Sequence, residues 1–333
     1  MEAYPIKFNP ILKEKIWGGE KLSSILNKKS DSKHIGESWE ISGVEDNISV
    51  VSNGLYKGKT LNDLITSYKS KFLGQENIDV FGENFPLLIK FLDAKTNLSV
   101  QVHPDDTMAK ANHNAFGKTE MWYIMDSDNE AQIVLGLKNN EIDKSILADI
   151  NSTNVNAIFN TEKVKRGDSY FIPAGKIHAI GAGVLVAEIQ QTSDITYRVY
   201  DWDRKDDNGQ QRELHTALAQ QATKSFPSNG KSDYVLEHDK TANLVNCNFF
   251  TTNIFEIKGL QKRDYTTKDS FVIFMCVEGN AEVTLNNNTE FVSMGETILI
   301  PANSEHVVIN SQGAKLLEVY IDSSDTNFKK MAL

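Results

Sequence analysis

The chain has 333 residues, 40% of them hydrophobic, and a formal net charge of −10 at pH 7. This composition is typical of one large or two medium globular domains, and the acidic charge argues against nucleic acid or an anionic membrane surface as a partner. The apolar runs are shorter than the ~20 residues of a membrane helix, the first residues lack a signal-peptide pattern and only two cysteines occur, so we expect a cytoplasmic protein.

Three segments have the residue spacing of amphipathic helices. In the first, residues 59–74, Thr60 is the predicted N-cap, Asp63 completes a capping box and Gly74 ends the helix. Residues 140–150 and 212–222 repeat the helical spacing over shorter lengths. Most of the remaining chain consists of strand-length segments rich in Val, Ile, Phe and Tyr, separated by Gly, Asn and Pro. We therefore predict a mainly β fold with a few helices decorating its N-terminal part.

The stretch NLSVQVHPDD, residues 97–106, predicts a strand with polar groups on one face. Alternate side chains of a strand point the same way, so Gln101 and His103 project together while the valines between them face a core. The stretch GKTEMWYIM repeats this arrangement with Lys118 and Glu120. We expect the two strands to present their polar side chains to a shared interior.

Two later segments are copies of one pattern. GDSYFIPAGKIH (167–178) and GETILIPANSEH (295–306) share a Gly-acid pair, a Pro-Ala pair and a final histidine. The pattern predicts a turn, a hydrophobic strand, a Pro-initiated turn and a second strand beginning at the histidine, as in a β-hairpin at the mouth of a barrel. It resembles the second motif of the cupin superfamily, and this resemblance implies two jelly-roll barrels.

Polar segments between the two copies suggest a domain boundary. Residues 203–212 are predicted to be a loop, and residues 227–233 are the best linker candidate. We expect a catalytic, metal-binding domain over residues 1–232. A cupin-like domain without a metal site is expected over residues 233–333.

The histidine that ends the first copy, His178, completes a candidate metal site. With Gln101, His103 and Glu120 it provides two imidazoles, one carboxylate and one amide oxygen, a set suited to Zn²⁺, Fe²⁺ or Mn²⁺. The alternative is a solvated sheet face with ordinary polar residues, which the strongly apolar opposite faces disfavour. No comparable donors precede His306 in the second copy, so we expect that histidine to be structural.

Several stretches of the chain resemble one enzyme family. They are the N-terminal WGG…IGESWEIS, then FPLLIKFLDAKTNLSVQVHPDD, GKTEMWYI and IPAGKIHAIGAGVLVAEIQQTSDITYRVYDWDR. Together they are similar to the type I mannose-6-phosphate isomerases in their short bacterial form, over about residues 5–205. The resemblance implies one zinc ion per chain on the four candidate ligands, a catalytic Arg198, and reversible isomerisation of mannose 6-phosphate and fructose 6-phosphate through a metal-stabilised enediol.

A phosphate ester requires cations in this acidic protein, and Lys90, Lys118 and Arg198 are the candidates. Lys118 shares a strand face with Glu120 and is favoured for substrate contact, whereas a buried ion pair explains Lys90 equally well. Asp194 either accepts a substrate hydroxyl or orients Arg198. The predicted catalytic residues are Arg198, Lys118 and Asp194.

Two other functions stay open. An Fe(II)-dependent cupin oxygenase could use His103, Glu120 and His178 as its two-histidine, one-carboxylate site. A non-catalytic sugar-binding cupin is the second, because fold alone does not determine function. The additional donor Gln101 and the cationic residues favour a sugar-phosphate isomerase, either monomeric or homodimeric.

Overall fold

The structure is a computed structural model and describes residues 1–139, 143–206, 208–226 and 230–322. Strands dominate these residues and the helices are short, so the predicted mainly β fold is confirmed. Among the described helices, none combines the length and the apolar character needed to cross a membrane.

The strands before residue 201 form two sheets. They are β1 (Ile11–Gly19), β2 (Ile35–Ile41), β3 (Leu87–Ala94), β4 (Val100–Val102), β5 (Glu120–Ser127), β6 (Gln132–Leu137), β7 (Phe159–Lys163), β8 (Ser169–Ile172), β9 (His178–Ile180), β10 (Val184–Gln191) and β11 (Tyr197–Tyr200). The first sheet has the order β1-β2-β3-β10-β5-β8, and the second has the order β11-β4-β9-β6-β7.

The later strands form a third sheet. They are β12 (Thr241–Asn246), β13 (Thr251–Asp264), β14 (Val272–Leu285), β15 (Asn288–Ser293), β16 (Thr297–Ile300) and β17 (His306–Tyr320). Their order is β12-β13-β17-β14-β15, and β16 pairs with β14. In the described part of the chain all three sheets are open, so the expected closure into two barrels is not confirmed.

Short helices connect or cover the sheets. They are α1 (Lys21–Ser24), α2 (Leu61–Tyr68), α3 (Ser70–Leu73), α4 (Gln75–Phe81), α5 (Asp106–His113), α6 (Val155–Ile158), α7 (Thr216–Ala222) and a 3₁₀ helix (Lys144–Ala148).

The first predicted helix is present but is interrupted. Thr60 and Asp63 form the expected capping box at the start of α2. Lys69, with a φ of 46°, then separates α2 from α3. Phe72 and Leu73 both lie in α3 and are fully buried.

The other two predicted helices are shorter than expected. Residues 140–142 lie outside the described residues, and the remainder of that segment forms the 3₁₀ helix. The third helix begins at Thr216, because the His215 amide donates to the Arg198 carbonyl and is drawn to the neighbouring strand. In the predicted linker, residues 227–229 lie outside the described residues.

The two copies of the repeated pattern have the expected local structure. Gly167 and Gly295 occupy turns with φ of 91° and 87°, and His178 and His306 begin β9 and β17. The predicted hairpin is wrong, however, because β8 pairs with β5 in the first sheet while β9 pairs with β4 and β6 in the second. In the first copy the proline-initiated turn therefore carries the chain from the first sheet to the second, whereas β16 and β17 of the second copy both pair with β14 in the third sheet.

The central strands of the first sheet are buried on both faces. Every residue of β3 and β10 is buried. One face packs against the third sheet in a core that includes Ile89, Ile273 and Leu317. The other face packs against the second sheet, where Leu92 and Ile180 belong to one core cluster. Polar side chains that enter the space between the first and second sheets must therefore find partners there.

Candidate metal centre and substrate cavity

Cross-strand register aligns three of the predicted site residues in the second sheet. Arg198 of β11 lies opposite Gln101 of β4, and Gln101 lies opposite His178 of β9. Residues opposite one another in a ladder project to the same side of the sheet. The guanidinium, the amide and the imidazole therefore face the same interior.

The first sheet contributes a second row of side chains. In its ladders Lys90 of β3 lies opposite Glu188 of β10, which lies opposite Trp122 of β5. Glu120 begins β5, two residues before Trp122, and consequently shares its face. The predicted pairing of polar residues from two strands across one interior is observed.

His103, Glu120 and His178 form a compact buried cluster. Their nitrogen and oxygen atoms lie within 4.8 Å of one another. The two Nε2 atoms are 3.1 Å apart, and they lie 3.5 Å and 3.3 Å from the Glu120 carboxylate oxygens. Metal–ligand bonds of about 2.0–2.2 Å separate neighbouring ligand atoms by roughly this distance. We refer to these three residues as the His–Glu–His cluster.

The hydrogen bonds around the cluster direct its free lone pairs inward. Nδ1 of His103 lies 2.8 Å from the Ile195 carbonyl oxygen, and Nδ1 of His178 lies 2.8 Å from the Lys176 carbonyl oxygen. A carbonyl only accepts, so each Nδ1 carries the proton and each Nε2 presents a lone pair. Such carbonyl partners are typical of metal-binding histidines.

The two imidazoles of the cluster are neutral. Burial lowers the pKa of His178 to about 3. Burial and the Lys118 charge hold the pKa of His103 well below its ordinary value. Within the described residues, neither oxygen of Glu120 accepts a hydrogen bond. The two imidazole nitrogens and the carboxylate oxygens converge, and the carboxylate accepts no hydrogen bond. This set of groups has the chemistry of a metal-binding site and could hold a metal ion.

Gln101 is the fourth predicted ligand and lies beside the cluster. Its Nε2 is 3.4 Å from Nε2 of His178, and its Oε1 accepts a hydrogen bond from the Ser99 hydroxyl. The two ends of an amide have nearly the same size and are assigned from their hydrogen bonds. A 180° rotation would direct the oxygen toward the cluster.

Lys118 contacts the cluster from the cavity side. Its Nζ lies 3.2 Å from Glu120 Oε2, within ion-pair distance but without hydrogen-bond geometry. Burial by itself would lower the pKa of Lys118, but the carboxylates of Glu120 and Glu188 outweigh burial and raise it. Lys118 is therefore a firmly charged ammonium group next to the candidate metal ligands.

Lys90 lies among carboxylates. Its ammonium is 3.7 Å from Glu37, 3.8 Å from Glu188 and 4.0 Å from Asp194, and its side chain is only 3% exposed. It also lies over the Trp39 ring, 4.8 Å from the centroid. These contacts match the buried ion-pair interpretation of Lys90, although the same side chain lines the cavity.

Two buried acids, Glu37 and Glu188, also line the cavity, and neither is among the site residues predicted from the sequence. Burial would raise the pKa of Glu37, but Lys90 and Lys15 outweigh it and lower the pKa to about 2. For Glu188, burial and the charge of Glu120 raise the pKa. A lone carboxylate within an apolar strand, as in GVLVAEIQQ, is the signal that could have identified Glu188.

Arg198 and Asp194 are held by different neighbours. Nη1 of Arg198 donates to the Glu213 carbonyl at 2.8 Å, and its Nε is buried without a hydrogen-bond partner among the described residues. Asp194 is 52% exposed and has Lys90 as an ion-pair partner. No hydrogen bond between Asp194 and Arg198 occurs in the described part of the chain.

One cavity of about 230 Å³ adjoins the cluster. This is below the ~300–1,000 Å³ of sites for drug-sized ligands, so it suits a smaller molecule. Its lining includes all the residues predicted for substrate contact or catalysis, namely Lys90, Lys118, Asp194 and Arg198. The candidate metal ligand Gln101 also lines it. The predicted site residues are thus brought together.

His306 occupies a different environment from His178. Its side chain is 66% exposed, and Nδ1 lies 3.7 Å from the Asp264 carboxylate. Among the described residues, the groups of three or more potential metal ligands comprise the His–Glu–His cluster alone.

A converging donor set beside a cation-lined cavity is found in metal-dependent enzymes that act on small anionic substrates. Family models make the class specific: residues 6–151 match the catalytic domain of type I phosphomannose isomerase, and residues 240–321 match the cupin domain of mannose-6-phosphate isomerase. The chain belongs to the type I phosphomannose isomerase family.

Individual relatives agree with this assignment. A mannose-6-phosphate isomerase of Bacillus subtilis (strain 168) is 35% identical over 90% of this chain and 94% of its own length. The mannose-6-phosphate isomerase of Streptococcus mutans is also 35% identical, over 90% of this chain and 93% of its own. A crystal structure of the Bacillus subtilis mannose 6-phosphate isomerase has a TM-score of 0.84 at 35% identity, covering 96% of this chain and 100% of that one.

Proposed function

We propose that this chain interconverts mannose 6-phosphate and fructose 6-phosphate. The relatives named above are mannose-6-phosphate isomerases, and the cavity offers cations to a small phosphorylated sugar. One observation carries the proposal: two bare imidazole nitrogens and a carboxylate without hydrogen bonds converge next to that cavity. Family membership favours isomerisation over an oxygenase or a sugar-binding cupin.

The proposed cofactor is one Zn²⁺ ion per chain, held by Gln101, His103, Glu120 and His178. Imidazole and carboxylate donors suit zinc, and Gln101 would join through its amide oxygen. When bound, the ion supplies Lewis-acid polarisation of the substrate carbonyl without a proton. The carbonyl partners of the two histidines keep the ligands oriented before the ion arrives.

Three residues are proposed to act on the substrate. Arg198 stays charged at working pH and stabilises the negative charge that develops on the enediol pathway. Lys118 contacts the substrate from the wall next to Glu120 and contributes positive charge for its phosphate. Asp194, half exposed at the cavity, accepts a hydrogen bond from a substrate hydroxyl. Lys90 stays a proposed substrate-binding residue, but its three carboxylate neighbours are expected to weaken its hold on phosphate.

The finer architecture is also a proposal. We infer a catalytic domain over residues 1–232 and a second domain over 233–333, each a cupin-type jelly roll. The repeated strand-turn-strand pattern and the cupin match over residues 240–321 support this division. The net charge of −10 supports a protein that binds no nucleic acid, and the two free cysteines support a cytoplasmic one. A monomer or a homodimer stays the proposed oligomeric state.

The test is a coupled assay on metal-depleted protein that is reloaded with Zn²⁺. Mannose 6-phosphate, fructose 6-phosphate and unphosphorylated mannose are compared at equal concentrations. We expect turnover of both phosphates only after metal is restored, and far slower turnover of mannose. A zinc-loaded protein that leaves mannose 6-phosphate unchanged, or that isomerises mannose equally well, would overturn the proposal.

A further inference from the structure

A buried carboxylate organises a group of arginines at the edge of the cavity. Asp201 follows β11 directly and is only 6% exposed. It accepts a hydrogen bond from Arg204 at 2.6 Å and two from Arg212, namely Nε to Oδ2 at 2.8 Å and Nη2 to Oδ1 at 2.5 Å. The bidentate contact holds the plane of the Arg212 guanidinium in one orientation.

Arg212 reaches the cavity that also contains the predicted site residues. It lines this cavity together with Arg198 and Gln101, although it belongs to the loop before α7. Its Nε and Nη2 are occupied by Asp201, whereas its Nη1 has no hydrogen-bond partner among the described residues. A planar group held along one edge can present the opposite edge to a ligand.

Positive charges outnumber negative ones in this group of arginines. Arg198, Arg204 and Arg212 lie near one buried carboxylate, Asp201. Of the other nearby acids, Glu213 is exposed and Asp194 is paired with Lys90. Burial and the nearby charge of Arg212 lower the pKa of Arg198. The three arginines repel one another, and an anion bound beside them would offset this local excess of positive charge.

We propose that Arg212 binds the phosphate group of the substrate through Nη1 and sets the preference for phosphorylated sugars, and that Asp201 is the positioning residue that holds Arg212 in place. The inference rests on the proposed function, since it assigns the phosphate end of the same cavity. Arg198, opposite Gln101 in the ladder, then serves the reacting end. The loop after β11 thereby determines which sugars are accepted.

The experiment compares zinc-loaded wild type with Arg212→Met, Arg212→Lys and Asp201→Asn. The control is Arg166→Gln, because Arg166 is an exposed arginine that pairs with Glu278. Losing one charge-assisted contact should raise KM for mannose 6-phosphate by about 10- to 100-fold in Arg212→Met, with kcat within about threefold. Lysine should recover part of the loss, and Arg166→Gln should match wild type.

Calorimetry with inorganic phosphate gives a readout that does not need turnover. Its affinity should fall in Arg212→Met by a factor similar to the KM change. Asp201→Asn should raise KM in the wild-type background and add less than about threefold to Arg212→Met, because both changes remove the same contact. An additive effect would show that Asp201 acts only structurally and would overturn its positioning role.

The two proposals fail in different ways. An active wild type whose KM and phosphate affinity are unchanged in Arg212→Met overturns the role of Arg212 and leaves the isomerase function. A zinc-loaded wild type without isomerase activity, whose phosphate affinity still falls in Arg212→Met, overturns the isomerase function and supports the anion contact. Circular dichroism of each variant identifies any loss of fold, and Arg212→Lys provides a second test of the same contact.

Discussion

Arg198 lies directly opposite Gln101 in the ladder between β11 and β4. Gln101 also lies opposite His178, so one short strand joins the proposed catalytic cation to the candidate metal ligands. A shift of this register by one residue would turn the Gln101 side chain to the other face of the sheet. Sheet register is therefore a condition for the site.

Removing the Arg198 guanidinium should impair the chemical step. We expect Arg198→Ala to lower kcat by about 100- to 1,000-fold, because charge on the enediol pathway loses its stabilising partner. Arg198→Lys keeps a positive charge but not the planar fork, and should restore only part of the rate. The measurement is kcat and KM at saturating substrate with metal content verified. A raised KM with unchanged kcat would mean that Arg198 binds ground state and transition state alike.

Metal binding should depend on one of the two repeated histidines. His178→Ala removes a buried ligand candidate and should lower bound zinc well below one ion per chain, whereas His306→Ala should not, because His306 is exposed. Chelation should abolish activity and added Zn²⁺ should restore it. Elemental analysis of the purified variants provides the comparison. Equal loss of metal in both variants would contradict the assignment.

Glu37 should make stability depend on acid pH. Its pKa is about 2 in the folded protein against an ordinary value of 4.5. The ionised form is thus favoured by folding, and its contribution of about 3 kcal/mol is complete above pH 4.5 and declines as pH falls toward 2. The difference in unfolding free energy between wild type and Glu37→Gln should shrink by up to about 1.4 kcal/mol per pH unit in this range.

The control for this prediction is Glu14→Gln, since Glu14 is an exposed glutamate on the neighbouring strand β1. Its stability difference from wild type should stay nearly constant with pH. Urea unfolding at several pH values measures both variants. A pH-independent difference for Glu37→Gln would disprove the predicted ion-pair stabilisation.

A buried ion pair lies at the contact between the first and third sheets. Lys28 Nζ lies 2.7 Å from Glu40, both side chains are nearly fully buried, and Glu40 accepts a hydrogen bond from Thr297 of β16. Lys28→Met leaves an unpaired buried carboxylate and should cost about 3–5 kcal/mol. Adding Glu40→Gln removes that charge and should recover part of the loss.

The matched control is Lys29→Met, because Lys29 is adjacent and exposed. It should change the free energy of unfolding by less than about 0.5 kcal/mol. Denaturant titrations of the three variants measure these differences. If Lys28→Met is no more destabilised than Lys29→Met, the buried ion pair does not contribute to the free energy of unfolding and the prediction is wrong.

Local patterns in the sequence were enough to predict the strand-rich fold, the capping box at Thr60 and the candidate cluster of His103, Glu120 and His178. Strand alternation has a period of two residues, so it assigns side chains to faces without knowledge of the partner strand. The same reasoning failed for the predicted hairpins, because a turn signal does not reveal which strand a segment will pair with.

The tertiary structure alone determined which further groups meet in the cavity. Glu37 and Glu188 enter it because β2 and β10 flank β3 in the first sheet, and Arg212 enters it from a loop through its contact with Asp201. It also decided that His178 is buried while His306, in the same local pattern, is exposed. Pairing between strands and packing between sheets depend on contacts distant in sequence, and these contacts set the burial, charge balance and pKa of each group.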